Sequence, residues 1–305
     1  MNMNLKEEIL KIKKEKNAVI LAHYYQPGEI QELADYVGDS YYLSEKARDC
    51  KEQVIVFCGV RFMAESAKIL SPEKTVLMPC NTAGCAMADM ASKKALIEMK
   101  EKYPEAFVVC YINSTYEVKA CCDVAVTSSS AMNIMKNIPN KQILFLPDKN
   151  LGGYISEFFP EKEFILWDGF CRCHNKVSAE DILKAKEEYK NAKILVHPEC
   201  TKEIRNMADY IGSTSGIIDY ATKDDGQVYI VATEEGILYE LNKRNPNKKF
   251  IIPGDGVCCQ DMKKTTLENL YNCLLNMEYE IVLDEEIRKK ALRSLENMHK
   301  LGSDK

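Results

Sequence analysis

The chain has 305 residues, 46% of them apolar and 29% charged, and a net charge of −5. This is a globular composition, long enough for two or three domains of ordinary size or one large one. Nothing basic and interleaved with aromatics suggests a nucleic-acid partner, and apolar runs such as "FVVCYI" fall far short of the roughly 18–20 residues of a membrane span.

Residues 1–16, "MNMNLKEEILKIKKEK", carry apolar positions at helical spacing, with Leu5, Ile9 and Ile12 predicted to face inward, and do not resemble a signal peptide. A cytoplasmic location is expected. There, thirteen cysteines do not make a disulfide framework. No C-x-x-C pair is present to indicate a zinc ribbon or a simple ferredoxin. Most of the cysteines are expected to fill core space as small hydrophobes.

Next comes "AVILAHYYQPGEIQELADYVGDSYYLSEKA". It opens with an apolar run suited to a buried parallel strand. A polar turn, a helical stretch, a second short strand and a small-residue turn opening another helix follow. The same succession recurs in "FVVCYINSTYEVKACCDVAVTSSSAMNIMK" and in "KILVHPECTKEIRNMADYIGSTSGIIDYAT". Near-identical heptapeptides, "ADYVGDS" at 34–40 and "ADYIGST" at 208–214, mark the first and third copies, and "CCDVAVTSS" at 121–129 is their degenerate counterpart. Within each copy 17 positions separate a polar strand-end residue from a hydroxyl: His23 and Ser40, Tyr111 and Ser128, His197 and Thr214. Two residues past each first member stand Tyr25, Asn113 and Glu199.

A further strand follows each copy: "KTVLMP" (74–79), "EFILWD" (163–168) and "KKFIIP" (248–253). Cysteine comes within six residues of each: Cys85, Cys171, and the pair Cys258 and Cys259. Counted from the first polar residue of its copy, Cys85 lies at 62, Cys171 at 60, Cys259 at 62 and Cys258 at 61. The repeat therefore favours Cys259 by one position. Three units of about 87 residues predict an α/β protein of three homologous three-layer αβα sandwich domains around a pseudo-threefold axis. The expected lobes are 1–84 with 275–305, 85–171, and 172–274. The tail is helical: "TTLENLYNCLLNM" behind threonine caps, with Leu267, Leu270, Leu274 and Leu275, then "DEEIRKKALRSLENMHKL" with Asp284 as N-cap and a stripe of Ile287, Ala291, Leu295 and Met298. Both helices are expected to pack on the first lobe.

Ligands in open α/β sheets bind at the carboxyl ends of strands, where these polar residues fall. One cysteine per repeat, in equivalent loops, makes a three-legged ligand set. Three thiolates without a fourth suit a [4Fe–4S] cluster with one iron free of protein ligand, a Lewis acid for dehydration, while a zinc site with an open position has similar needs. "HPE" at His197–Glu199 is a general acid/base candidate, and Tyr25 and Tyr111 can donate to developing negative charge. Ser40, Ser128 and Thr214 are read two ways: as plain helix N-caps, or as hydroxyls that, with free helix N–H groups, hold carboxylate or phosphate oxygens. An electron-transfer iron–sulfur protein and a zinc-containing dicarboxylate-binding protein remain alternatives.

The strings "AHYYQ", "DYVGDS", "FMAESAKIL", "AGCAMADM", "YINS", "VTSS", "GFCRCH", "HPEC", "GSTSG" and "CCQDMKKTTLENL", taken together and in order, resemble the quinolinate synthase family over essentially the whole chain. The resemblance implies three α/β sandwich domains around a pseudo-threefold axis. It implies one oxygen-sensitive [4Fe–4S] cluster per chain, held by Cys85, Cys171 and Cys259. It also implies condensation of iminosuccinate with dihydroxyacetone phosphate to quinolinate in de novo NAD biosynthesis. His23, Ser40, Tyr111, Asn113, Ser128, His197, Glu199 and Thr214 would line the substrate site, with Tyr25 as proton-transfer or orienting group. His174, in the "C-x-x-H" pattern after Cys171, would reach the site; the repeat spacing does not select it. Transient contact with an aspartate-oxidising enzyme, the source of iminosuccinate, is compatible with that role. Cys80, Arg172 and Arg61 depart from the family pattern, and Cys80, Cys173 and Cys258 are extra cysteines beside the implied ligands.

Overall fold

Continuous apolar runs in the sequence become the strands of three parallel sheets. The computed structural model describes residues 2–302. The first sheet contains β1 (Ala18–His23), β2 (Tyr36–Gly38), β3 (Val54–Cys58) and β4 (Thr75–Leu77). The second contains β5 (Phe107–Tyr111), β6 (Val124–Val126), β7 (Gln142–Leu146) and β8 (Glu163–Leu166), and the third β9 (Lys193–Val196), β10 (Tyr210–Ile211), β11 (Val228–Ala232) and β12 (Lys249–Ile251). Their orders are β2-β1-β3-β4, β6-β5-β7-β8 and β10-β9-β11-β12, so one topology occurs three times. β1, β3, β5 and β7 are almost wholly buried, as expected where helices cover both faces of a parallel sheet. The α/β class and the threefold repetition expected from the sequence are what the chain forms.

Each sheet has one strand more than the sequence reading names: β3, β7 and β11 each pair directly with the first strand of their unit. The chain runs outward from β1 to β2 on one side and through β3 to β4 on the other. The switch point between β1 and β3 is where such sheets form ligand crevices.

One side-chain hydrogen bond recurs in every lobe. The Asp35 carboxylate accepts the N–H of Ile20 at 2.8 Å, Asp123 that of Val108 at 2.9 Å, and Asp209 that of Ile194 at 2.8 Å. The backbone N–H of the same aspartates donates back to the carbonyls of Ile20, Val108 and Ile194. The aspartate shared by "ADY", "CDV" and "ADY" thus adds a side-chain rung where the short edge strand begins. It fixes the register that brings Leu21 opposite Tyr36, Val109 opposite Val124 and Leu195 opposite Tyr210.

Helices fill the faces between sheets. Ile9 and Ile12 of helix Asn2–Glu15 are buried with Leu267, Leu270 and Leu274 of helix Leu267–Asn276 against the outer face of the first sheet. Helix Leu267–Asn276 opens with a reciprocal Thr266–Asn269 capping box. Its Leu275 is exposed, outside the buried stripe expected of it. The last helix, Glu285–Gly302, is capped by Asp284, which accepts the Ile287 N–H at 2.9 Å, and buries Ala291, Leu295 and Met298. Its packing differs from the expectation. It lies against β6 and helices Tyr116–Lys119 and Ala131–Lys136 of the second lobe as well as Arg61–Leu70 of the first. Asn297 donates to the Asp123 carbonyl, and Ser44 pairs with His299. An apolar stripe requires burial but does not choose the surface that buries it. Among the described residues no helix is long and apolar enough to cross a membrane.

Replacing Asp209 by alanine leaves the Ile194 N–H without its acceptor and is expected to destabilise the chain by about 1–3 kcal/mol. Asp209→Asn, which keeps an oxygen acceptor, is expected to do less harm. Thermal unfolding of both variants measures the difference, and equal midpoints for Asp209→Ala and the parent would contradict it.

Candidate active site

The carboxyl ends of β1, β5 and β9 meet at a cavity of about 390 Å³. His23, Tyr25, Ser40, Cys85, Tyr111, Asn113, Ser128, Cys171, His174, His197, Glu199, Thr214 and Cys259 all line it, so every site residue expected from the sequence reaches one space. Arg172, Cys173, Lys176, Cys258 and Glu234 also line it.

Local backbone explains the recurring spacing. In the first and third lobes the helix-capping function falls on the residue before the expected hydroxyl, and in the second the helix starts later, with Ser130 at its N-cap. Asp39 accepts the Tyr42 N–H and Ser213 accepts the Gly216 N–H, while Thr127 exchanges hydrogen bonds with Ser130. The plain N-cap reading of Ser40, Ser128 and Thr214 is therefore replaced. Helices Ser40–Asp49 and Thr214–Lys223 begin at Ser40 and Thr214, with the cap supplied from one position earlier and the hydroxyl residue turned to the cavity.

His23 and His197 act alike. The Nδ1 of His23 accepts the Tyr25 N–H at 3.1 Å, and that of His197 accepts the Glu199 N–H at 3.3 Å. A ring that accepts at Nδ1 carries its proton on Nε2 when neutral. Burial pulls both imidazoles down to about 3, so each presents an uncharged N–H donor.

His174 is the opposite case. Burial alone pulls it down, but the Glu199 carboxylate overrides this and holds it up at about 9. Its Nδ1 lies 2.8 Å from Glu199 Oε2 and 3.2 Å from Cys171 Sγ. The other Glu199 oxygen accepts from the Tyr111 hydroxyl at 2.6 Å. Burial disfavours the Glu199 charge, yet His174, His197 and Tyr111 hold its carboxyl well below the usual range. His197 stacks on His174 with centroids 4.7 Å apart, and the cation there adds to the depression of His197. The Tyr25 hydroxyl bonds Thr214 Oγ1 at 2.8 Å and Thr233 Oγ1 at 2.9 Å, and Thr233 Oγ1 bonds His174 Nε2 at 2.8 Å. A continuous hydrogen-bonded path thus runs Tyr25–Thr233–His174–Glu199–Tyr111 through all three lobes. Asn113 Oδ1 is buried with no partner, an acceptor left for a ligand.

Two of the three cysteine loops, those of Cys171 and Cys259, are braced by buried carboxylates that the sequence reading did not single out. Cys58, Leu146 and Ala232 occupy equivalent places beside Ala22, Cys110 and Val196, and two residues on are Val60, Asp148 and Glu234. Asp148 accepts the Cys171 N–H at 3.2 Å, and Glu234 the Cys259 N–H at 3.0 Å. In the first lobe, where Val60 has no carboxylate, the Arg61 N–H donates to Ala83 O of the Cys85 loop at 2.9 Å. The missed residues Thr233, Asp148 and Glu234 all follow the unnamed strands β7 and β11; aligning the apolar runs "VIVFC", "QILFL" and "VYIVA" as a fourth repeated element would have exposed them.

Burial pushes the Cys85 thiol up to about 12, and the neighbouring Cys173 thiol, with burial, pushes Cys259 up. Loading a metal group here must release protons. Among the described residues the donor trios within 4.8 Å of one another are Cys171–His174–Glu199 and Glu234–Glu235–Cys258; Cys85, Cys171 and Cys259 form no such trio. Metal–sulfur bonds of about 2.3 Å cannot join thiolates more widely spread than about 4.6 Å to a single ion. The three-cysteine set therefore suits a polynuclear cage better than one zinc ion.

A family model described as quinolinate synthetase A protein matches residues 7–300. The quinolinate synthase of Clostridioides difficile is 67% identical over 302 residues, covering 99% of each chain. That of Clostridium perfringens is 57% identical over 300 residues, covering 98% of this chain and 100% of the other. That of Caldicellulosiruptor saccharolyticus is 53% identical over 298 residues, covering 98% of each.

The charge pair makes a pH prediction. The raised His174 contributes stability below its usual value of 6.5 and loses it as pH climbs through about 9. The lowered Glu199 contributes above 4.5 and loses it as pH falls. Both charges therefore coexist at neutral pH. Histidine nitrogen NMR of the metal-free chain should show His174 cationic at neutral pH and neutral in Glu199→Gln, where burial acts unopposed. A cationic His174 in that variant would contradict the assignment.

Proposed function

The chain belongs to the quinolinate synthetase A family, and from that premise we propose that it condenses iminosuccinate with dihydroxyacetone phosphate to quinolinate, phosphate and water. The observation that carries this reading is the convergence of Cys85, Cys171 and Cys259, one from the loop after the last strand of each sheet, on the cavity that also holds the buried Glu199–His174 pair. A [4Fe–4S] cluster held by these thiolates would supply an iron without protein ligand, a Lewis acid for loss of water.

The chain's own residues supply the rest. His23 and His197 offer neutral N–H donors to carboxylate oxygens, and the starts of helices Ser40–Asp49 and Thr214–Lys223 offer backbone N–H groups and a hydroxyl to carboxylate or phosphate. Asn113 completes the ring from the second lobe. Tyr25 and Tyr111 are kept protonated, since burial and the nearby Glu199 charge raise both well above the usual phenol value; Tyr25 can donate where negative charge develops, while the Tyr111 proton is held by Glu199 Oε1. The path from Tyr25 through Thr233 to His174 can return a proton to the tyrosine, with Glu199 holding the imidazolium in place. No net oxidation or reduction is required. Burial of His23, Tyr25, Tyr111, His174, His197, Glu199 and Thr214 limits competition from water.

Anaerobically purified chain is expected to contain about four iron and four sulfide and to form quinolinate from the two substrates. One zinc per chain, or no quinolinate, would overturn the proposal. Cys259→Ser is expected to abolish the iron content and Cys258→Ser to keep it; the reverse would reassign the third ligand. Glu199→Gln should keep the iron and lose quinolinate formation by about a hundredfold or more, and full activity in that variant would remove Glu199 from the mechanism.

A further inference from the structure

The Tyr25 loop belongs to the first lobe but is held from the third. Lys263 Nζ donates to the Tyr25 carbonyl at 2.6 Å and contacts Glu234 Oε1 at 2.8 Å and Oε2 at 3.1 Å. Glu234 is fully buried, and its carboxylate also accepts the N–H of Gly236 at 2.7 Å and of Cys259 at 3.0 Å. Next to this joint, Gln26 Nε2 donates to the Met262 carbonyl at 2.6 Å, and Gln31 Nε2 spans the carbonyls of Tyr24, Gln26 and Gly236. Gly236 is required by the closeness of the parts. A Cβ there would lie 2.6 Å from Tyr25 Cα and 2.8 Å from both Glu234 Oε2 and Lys263 Nζ.

We propose that Lys263 is a positioning residue that ties Tyr25 to the Cys259 loop, so that filling the three-cysteine site sets the placement of the Tyr25 hydroxyl. This rests on the proposed cluster site and deepens it. Cys85 and Tyr25 both follow strands of the first sheet, β4 and β1, but stand on separate loops. Segment 257–264 of the third lobe carries both Cys259 and the Lys263 that bonds the tyrosine carbonyl. Lys263 is the one cation among its contacts to Tyr25 described above. It neutralises a buried carboxylate, and a fixed ion pair of this kind transmits position where a lone hydrogen bond would swivel. Order imposed at Cys259 reaches Tyr25 through two bonded atoms of one carboxylate and one ammonium.

The test compares metal-free and cluster-loaded chains by amide hydrogen exchange, with iron content and kinetics on the same samples. In the parent, loading should slow exchange both in segment 257–264 and at residues 24–26. In Lys263→Met, iron content and slowing at 257–264 should persist, slowing at 24–26 should vanish, and kcat should fall about tenfold to a hundredfold with KM little changed. Gly236→Ala, which wedges the joint without altering charge, should give the same split. Parental kcat and parental slowing at 24–26 in Lys263→Met would overturn the tether. So would loss of iron in that variant, because Lys263 would then serve the cysteine loop alone. A parent chain that loads no iron would instead overturn the site reading itself, and this inference with it.

Discussion

A parallel sheet needs a rung wherever a strand passes the end of its neighbour, and in this protein an aspartate side chain supplies that rung three times. Asp35, Asp123 and Asp209 each bond a main-chain N–H fifteen residues upstream. The bond fixes how far the edge strand runs before the chain turns into its helix. That distance decides where Ser40, Ser128 and Thr214 emerge relative to His23, Tyr111 and His197. Had the register slipped by one residue, each hydroxyl would have turned from the cavity to the helix layer. The shared spacing seen in the sequence is thus the visible trace of a backbone constraint, and the site inherits its geometry from it.

On that frame sits a polar set that could not survive piecemeal. A carboxylate buried without a partner would take up a proton, and a buried imidazolium would lose one. Glu199 and His174 keep their charges only together. Tyr111 and Thr233 satisfy their remaining atoms, and each comes from a different strand end. The three lobes are therefore joined at the site by atoms that each need the others, while the long C-terminal helix joins the first and second lobes by ordinary apolar packing. The same fold uses two kinds of adhesion for different interfaces.

Much of this was legible in the residues. The strand ends, the helix starts and the cysteine loops could be aligned because each carried a polar residue at constant spacing, and all thirteen expected site residues line one cavity. The third strand of each unit was not legible by the same means. "VIVFC", "QILFL" and "VYIVA" are apolar but for Gln142, and the residues after them, Gly59–Val60, Pro147–Asp148 and Thr233–Glu234, differ in every lobe. Missing the strand meant missing Asp148, Glu234 and Thr233, whose roles depend on what lies across the sheet rather than on local pattern. The last helix shows the same limit. Its stripe announced burial, but only the assembled lobes reveal that the second lobe supplies much of the covering surface.

The two neutral imidazoles carry one more consequence. Because His23 and His197 already hold their protons on the ring atom facing the cavity, an anion arriving there is met by donors whose ionisation need not change. Recognition is in this respect buffered against the acidity of the surroundings. A site that greeted dianions with free cations would exchange protons or counter-ions with solvent at every binding event. This one keeps its raised imidazole locked to a carboxylate and sets two neutral N–H donors beside the exposed Arg172 and Lys176 that also line the cavity.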